Sequence, residues 1–225
     1  IIRHSVSKLA HILFTSTQEN AERLVKMGEN KWRVFNVGHA GLDRYRSTPK
    51  LSKKEMADYL KLDIKDKPLI VLIQHPVSNE VEKSGEQMSV TLSALDTLGY
   101  PTVVIHPNSD PGRNAMVDVI EKYAFKNKNV RKLKNIPDFY FVNLMRQADV
   151  LVGNSSMGVV EAPILKLSVV NVGNRQRGRQ HSENIIFVPN NKAKIIKAVK
   201  KCLLDPSFKK GVMKCKNPYG NGLSG

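Results

Sequence analysis

Only two cysteines, Cys202 and Cys215, occur in 225 residues, and neither has a His or a second Cys at ligand spacing, which argues against a disulfide framework and against a structural zinc. That usage is expected of a reducing, cytoplasmic protein. Aromatics are scarce at 6%, and no nucleic-acid-reading motif accompanies the basic residues, so a nucleic-acid module lacks its usual signature. Long apolar runs are missing too: the densest, Leu69 to Ile73, is bounded by Lys67-Pro68 and Gln74-His75, far short of the roughly 20 residues that cross a bilayer. No membrane partner is expected. The chain starts at Ile1 with neither an initiator Met nor a charged-then-apolar leader, so the expectation is a piece of a longer chain rather than a secreted precursor. Internal repeats and low-complexity tracts are absent.

What is present is 41% hydrophobic residues, enough for a core, and 36 Lys+Arg against 20 Asp+Glu, a net charge of +16. Such a field favours anionic partners without choosing among them. Much of the excess lies in Lys192 to Lys201, where Ile195, Ile196 and Val199 form an apolar stripe and the lysines a solvated helix face.

From Leu13 onward, short β-branched runs alternate with longer stretches of helical period, the pattern of a parallel sheet covered by helices. Ser16 and Glu19 read as a capping box for a helix closed by Gly28, followed by a strand over Val34 to Val37 that Gly38 ends. The polar stretch from Ser47 to Lys54 reads as a crossover between domains. Beyond it the strands are Leu69 to Ile73, Thr102 to Ile105, Val130 to Leu133, Val150 to Val152 and Val169 to Val172. Helices are expected around Met88 to Leu98, Met116 to Tyr123, Phe139 to Gln147, Val159 to Leu165 and Lys192 to Leu203.

In a parallel α/β sheet, ligands bind beyond the carboxyl ends of the strands. The residues at those ends are Gln74-His75-Pro76, His106-Pro107-Asn108, Gly153-Asn154-Ser155-Ser156 and Gly173-Asn174-Arg175. Gly153 would let backbone approach a ligand, Ser155 or Ser156 would cap the next helix, and the free amides of its first turn would seat a phosphate. Read alone, that segment is more readily an ordinary strand-to-helix cap. Glu161 suits ribose hydroxyls or plain solvent. The alternate Arg175, Arg177 and Arg179 offer forks suited to a diphosphate, or a surface cluster. His75 and His106, each beside a proline, suit phosphate pairing, backbone hydrogen bonding or, near neutral pKa, proton transfer.

Five segments, taken in order, resemble one family: Arg3-His4 through Ser7-Lys8-Leu9, Gln74-His75-Pro76-Val77, Pro107-Asn108-Ser109-Asp110, Gly153 through Glu161, and Asn171 through Arg179. They are similar to the hydrolysing UDP-N-acetylglucosamine 2-epimerases over nearly the whole chain. The last two segments also look unlike those of the non-hydrolysing 2-epimerases. The resemblance implies an α/β fold of Rossmann-like parallel sheet domains in the glycosyltransferase-B style. Residues 1–48 then end the N-terminal domain, and residues 49–225 form the C-terminal nucleotide-binding domain with its last crossover helix missing. It implies that His75, the candidate catalytic group, and Asn108 line the nucleotide-sugar pocket. Ile136 and Phe141 flank the uracil, Ser155 and Ser156 hold the diphosphate, Glu161 contacts the ribose, and Arg175 completes the pocket.

The implied partner is a UDP-sugar, with no cofactor, no metal and no nucleic acid, in an enzyme forming a homodimer or higher homo-oligomer. Two places depart from the pattern: His39-Ala40-Gly41, and Lys166-Leu167-Ser168 where a helix-ending Gly-x-Pro is usual. Because the proton-moving acids of such enzymes lie mostly in the N-terminal domain, residues 1–225 alone are expected to bind UDP weakly and not to turn over. The rival readings are a glycosyltransferase of the same architecture and a basic nucleic-acid-binding module.

Overall fold

The computed structural model describes residues 2–224. Two compact units emerge, one holding residues up to Thr48 together with those from Asn217 onward, the other Pro49–Lys216. The division at Thr48 falls where the sequence places a crossover. The tail joins the first unit, whereas the sequence reading assigned everything from 49 to 225 to one domain.

The smaller unit contains α1 (Ile2–Leu9), β1 (Leu13–Thr15), α2 (Gln18–Lys26), β2 (Val34–Asn36) and α3 (Arg44–Ser47), with β1 and β2 paired in parallel. The expected Ser16–Glu19 capping box is not formed. Thr17 is the N-cap, accepting from the Asn20 amide at 3.3 Å, and Glu19 pairs instead with Arg23 at 2.9 Å. The tail is tied in at Gly38, whose φ is +81°. A Cβ there would stand 3.0 Å from the Tyr219 carbonyl, and that carbonyl accepts from the His39 amide at 2.8 Å. The departure at His39 is accommodated locally, since its Nδ1 accepts from the Gly41 amide at 3.2 Å.

The larger unit runs α4 (Lys53–Leu60), β3 (Ile70–Ile73), α5 (Ser84–Leu98), β4 (Thr102–Ile105), α6 (Arg113–Lys126), β5 (Val130–Leu133), α7 (Asp138–Gln147), β6 (Val150–Gly153), α8 (Met157–Val160), β7 (Ser168–Val172), β8 (Ile185–Val188), α9 (Lys192–Leu204) and α10 (Pro206–Lys214). Its strands form one six-stranded sheet in the order β5-β4-β3-β6-β7-β8, parallel throughout. This is the Rossmann-like arrangement expected from the sequence. Strand side chains alternate between faces: Ile70, Leu72, Val104, Val150, Val152, Val170 and Val172 share one core with Met88, Leu92 and Leu95 of α5, Met116 and Ile120 of α6, and Ile195 and Val199 of α9. Opposite, a Cβ on Gly158 of α8 would meet Val169 at 2.9 Å, so this glycine lets α8 lie flat on the sheet.

Four elements differ from the sequence reading. The stretch ending at Lys54 opens a real helix, α4, whose Ser52 and Glu55 make a full capping box. β8 and α10 were not foreseen. The single helix expected over Val159 to Leu165 is broken at Glu161, with a 3-10 turn over Ala162–Leu165, because Pro163 has no N–H to continue an α-helical ladder. Lys166, in the usual glycine position, then sits at φ +54°. That left-handed backbone costs roughly 1 kcal/mol for a residue with a Cβ; the Lys166 ammonium donates to the Cys215 carbonyl at 2.6 Å. On α9 the lysines are exposed over a buried Ile195, Ala198, Val199, Cys202 and Leu203 face, as the sequence reading had it. Among the described residues no helix is long and apolar enough to cross a membrane.

Candidate functional site

The order of the large sheet reverses between β3 and β6, so the helices following those two strands leave on opposite faces and a crevice opens at their carboxyl ends. His75 follows β3 and Asn154 follows β6. The last backbone register pair is Ile73 with Gly153. Gly153 has φ +126° and no room for a side chain, since a Cβ would lie 2.1 Å from the Ile73 carbonyl oxygen. The sequence reading took this glycine as space for a ligand. The structure fills that space with the neighbouring strand.

His75 is half-buried, and its Nδ1 accepts the Asn108 amide at 3.1 Å. A ring nitrogen that accepts carries no proton, so neutral His75 keeps its proton on Nε2. Burial, then the Arg175 guanidinium, holds the imidazole down to about 4, with Asp110 opposing. At neutral pH His75 is therefore an uncharged hydrogen-bond donor; of the roles the sequence left open, this state suits hydrogen bonding to a phosphate or to backbone. Asn108 donates from Nδ2 to Asp110 at 2.6 Å, and the Arg175 guanidinium stands 4.0 Å from the same carboxylate. Arg175 Nη1 donates to the Asn154 carbonyl at 3.3 Å, and Gln176 Nε2 to the same oxygen at 2.8 Å.

The low value has a consequence for stability. Between its unfolded value near 6.5 and its folded value of about 4, the unfolded chain takes up a proton that the folded one refuses, so stability falls as pH drops through that window. Allowing for partial solvent screening, His75→Gln is expected to remove about 2 kcal/mol of the loss between pH 6.5 and 4. Urea unfolding of both proteins across this range reads it; parallel pH profiles contradict it.

His75, Asn108 and Arg175 are thus brought together. Ser155 and Ser156, both half-buried, follow Asn154 directly, and Ser155 Oγ accepts from the Met157 amide at 3.4 Å. Ser156 makes no capping bond although it is the N-cap. Glu161, half-buried, closes α8. Ile136 and Phe141 lie in the loop after β5 and on α7, and α7 packs against the 3-10 turn that follows Glu161. His106 does not join the group. It is 5% exposed, neither ring nitrogen closes a hydrogen bond, and Nε2 lies 3.6 Å from Glu121 of α6. Arg177 and Arg179 are exposed and line a different hollow, with His181 and Phe187. Of the three alternate arginines, only Arg175 joins the group.

Three participants were not singled out from sequence. Asp110 was quoted only within a segment, Gln176 stood between arginines, and Asn154 read as a turn residue. Only the alternation of polar types along Asn174 to Arg179 hinted that Gln176 points inward. Among the described residues no group of His, Cys, Asp and Glu side chains is arranged to hold a metal ion.

The profile of the family described as UDP-N-acetylglucosamine 2-epimerase matches residues 1–225. A UDP-N,N'-diacetylbacillosamine 2-epimerase (hydrolyzing) of Legionella pneumophila is 33% identical over 222 residues, covering 99% of this chain and 57% of that protein. A UDP-N-acetylglucosamine 2-epimerase of Neisseria meningitidis is 30% identical over 198 residues, covering 88% and 52%. The chain thus spans about half the length of these curated relatives. Among solved structures, a Neisseria meningitidis UDP-GlcNAc 2-epimerase bound to UDP-GlcNAc superposes with a TM-score of 0.76 at 18% identity, over 97% of this chain and 60% of that one. At that identity the likeness speaks for the fold.

Proposed function

Because the chain belongs to the UDP-N-acetylglucosamine 2-epimerase family, we propose that it is the UDP-binding portion of a hydrolysing 2-epimerase. The reaction removes the proton at sugar C2, breaks the C1–O bond to expel UDP and leave a glucal, and adds water across the double bond to give free N-acetylmannosamine. The part assigned to this chain is to hold the leaving group. Fixed dipoles and cations aimed at a developing diphosphate lower an elimination barrier without reorganising during the reaction.

In this reading Ser155 and Ser156 bind the diphosphate through their hydroxyls and backbone amides, with the Arg175 guanidinium opposite. His75 donates its Nε2–H to the same group, an arrangement that requires a neutral imidazole of fixed tautomer. Asn108 borders the sugar, Glu161 accepts from the ribose hydroxyls, and Ile136 with Phe141 sandwich the uracil. The smaller unit supplies the end of an N-terminal domain. Its paired strands leave Phe14 70% and Phe35 46% exposed, consistent with a larger sheet, since two strands alone bury too little. The homodimer or higher homo-oligomer expected from sequence belongs to the same proposal.

The observation that carries this reading is the convergence of His75, Asn108 and Arg175 on the crevice between β3 and β6, each held by a hydrogen bond from or to its neighbours. The test is product analysis on the longer protein that contains this chain. UDP-N-acetylglucosamine and UDP-N,N'-diacetylbacillosamine, the sugars named for the two relatives, are the substrates to offer. One of them is expected to give free UDP and the corresponding 2-epimeric free sugar. Transfer of the sugar to an acceptor would instead indicate a glycosyltransferase, and salt-sensitive nucleic-acid binding that UDP does not compete would indicate the basic-module reading.

A further inference from the structure

A parallel ladder that opens into a crevice must stop somewhere, and the backbone groups just past the stop need other partners. Here the register ends at Ile73 with Gly153. The next residue, Asn154, is 2% exposed and continues the pairing with its side chain. Oδ1 accepts the His75 N–H at 2.7 Å, and Nδ2 donates to the His75 carbonyl at 2.9 Å. Its own N–H donates to the Ile73 carbonyl at 3.1 Å. Its carbonyl accepts from Gln176 at 2.8 Å and from Arg175 at 3.3 Å.

We infer that Asn154 is the positioning residue of the diphosphate site, fixing His75 through its carboxamide and Arg175 through its carbonyl while touching no ligand itself. The inference rests on the UDP reading given above. Only a primary amide of this length fits. It offers an acceptor and a donor side by side, the complement of one residue's N–H and C=O. Aspartate has acceptors alone and would set a lone pair against the His75 carbonyl; alanine leaves both His75 groups unpartnered. With the His75 backbone clamped, its Nδ1 meets the Asn108 amide, and Nε2–H becomes the group presented to the crevice. One buried residue thereby sets the imidazole tautomer through its side chain and the seat of the guanidinium through its backbone carbonyl.

The test uses this chain with 15N-labelled histidine. Imidazole 15N shifts should show His75 as the Nε2–H tautomer in the parent, and as a mixture with the Nδ1–H form in Asn154→Ala and in the isosteric Asn154→Asp. UDP affinity should fall at least tenfold in both. Asn184→Ala is the control, because the Asn184 amide donates to the Leu167 carbonyl at 2.9 Å at the opposite, amino end of the sheet. It should lower the unfolding midpoint yet leave the tautomer and the UDP affinity unchanged. Should both Asn154 variants fail to fold, amide exchange in the parent decides: the His75 N–H must be as protected as the β3 amides. A parent-like tautomer and affinity in Asn154→Ala or Asn154→Asp, or a His75 amide exchanging as fast as the exposed Ser78, overturns the inference. A parent with the fixed tautomer but no UDP affinity would instead sink the UDP reading and leave the clamp standing.

Discussion

Replacing Gly153 by alanine is expected to destabilise the larger unit by about 3–5 kcal/mol, a shift of roughly 10 °C in unfolding midpoint for a chain of this size. Two penalties combine. The backbone at φ +126° is one that L side chains rarely adopt, and the added methyl would stand 2.1 Å from the Ile73 oxygen and 2.6 Å from its carbon. Those are backbone atoms of the central strand pair, which cannot swing aside, so β3 and β6 must separate where the crevice opens. Gly178→Ala isolates the first penalty. Its φ is +78° but its Cβ would meet nothing within 4 Å, so about 1 kcal/mol is expected. Thermal unfolding of the two variants reads the difference; equal midpoints would mean that strand proximity at Gly153 contributes nothing.

The second large effect is on ligand affinity. Arg175→Ala is expected to weaken UDP binding about 30- to 100-fold, the 2–3 kcal/mol of a charge-assisted hydrogen bond. Arg175→Lys should recover only part, since an ammonium keeps the charge without the planar fork. Arg179→Ala is the comparison: that side chain reaches the Gln176 carboxamide at 3.2 Å and is otherwise exposed, and its loss should leave affinity within about twofold, as surface changes usually do. The same substitution at Arg175 should let the His75 pKa rise from about 4, because that guanidinium is the second cause of its depression after burial. Equal losses at Arg175 and Arg179 would mean that diffuse positive charge, not one seated guanidinium, draws the nucleotide.

Much of the sheet was legible because buried parallel strands are short β-branched runs, and Thr102 to Ile105 begins and ends where the pattern placed it; Val130 to Leu133, an edge strand with Arg131 and Lys132, was placed by its position between two helical stretches. β8 escaped although Ile185-Ile186-Phe187-Val188 is just such a run. Its connection from β7 is an Arg- and Gly-rich loop with no helix, which interrupts the strand-helix alternation. Capping was misread by competition among similar signals: Ser16 and Glu19 had the spacing, but Thr17 took the cap and Glu19 an arginine, while the real box at Ser52 and Glu55 was hidden in a stretch read as polar. At the site, strand-end position singled out His75, Asn108 and Arg175, which the structure places near one another. It left His106 open, because a residue's place in sequence does not say which way its side chain leaves the strand end. It also missed Asn154, since a side chain that substitutes for backbone looks like a turn former until the partner strand is in view.

The central claim is that the turn after β6 and the arginine beyond β7 seat a pyrophosphate bearing uridine. Calorimetric titration of the chain with UDP and GDP, repeated on a Ser155→Ala, Ser156→Ala double variant, tests it most directly. The account predicts weak, saturable, single-site binding of UDP in preference to GDP, and loss of most of that affinity in the double variant. No measurable UDP binding, equal affinity for both nucleotides, or an unchanged isotherm in the variant would contradict it.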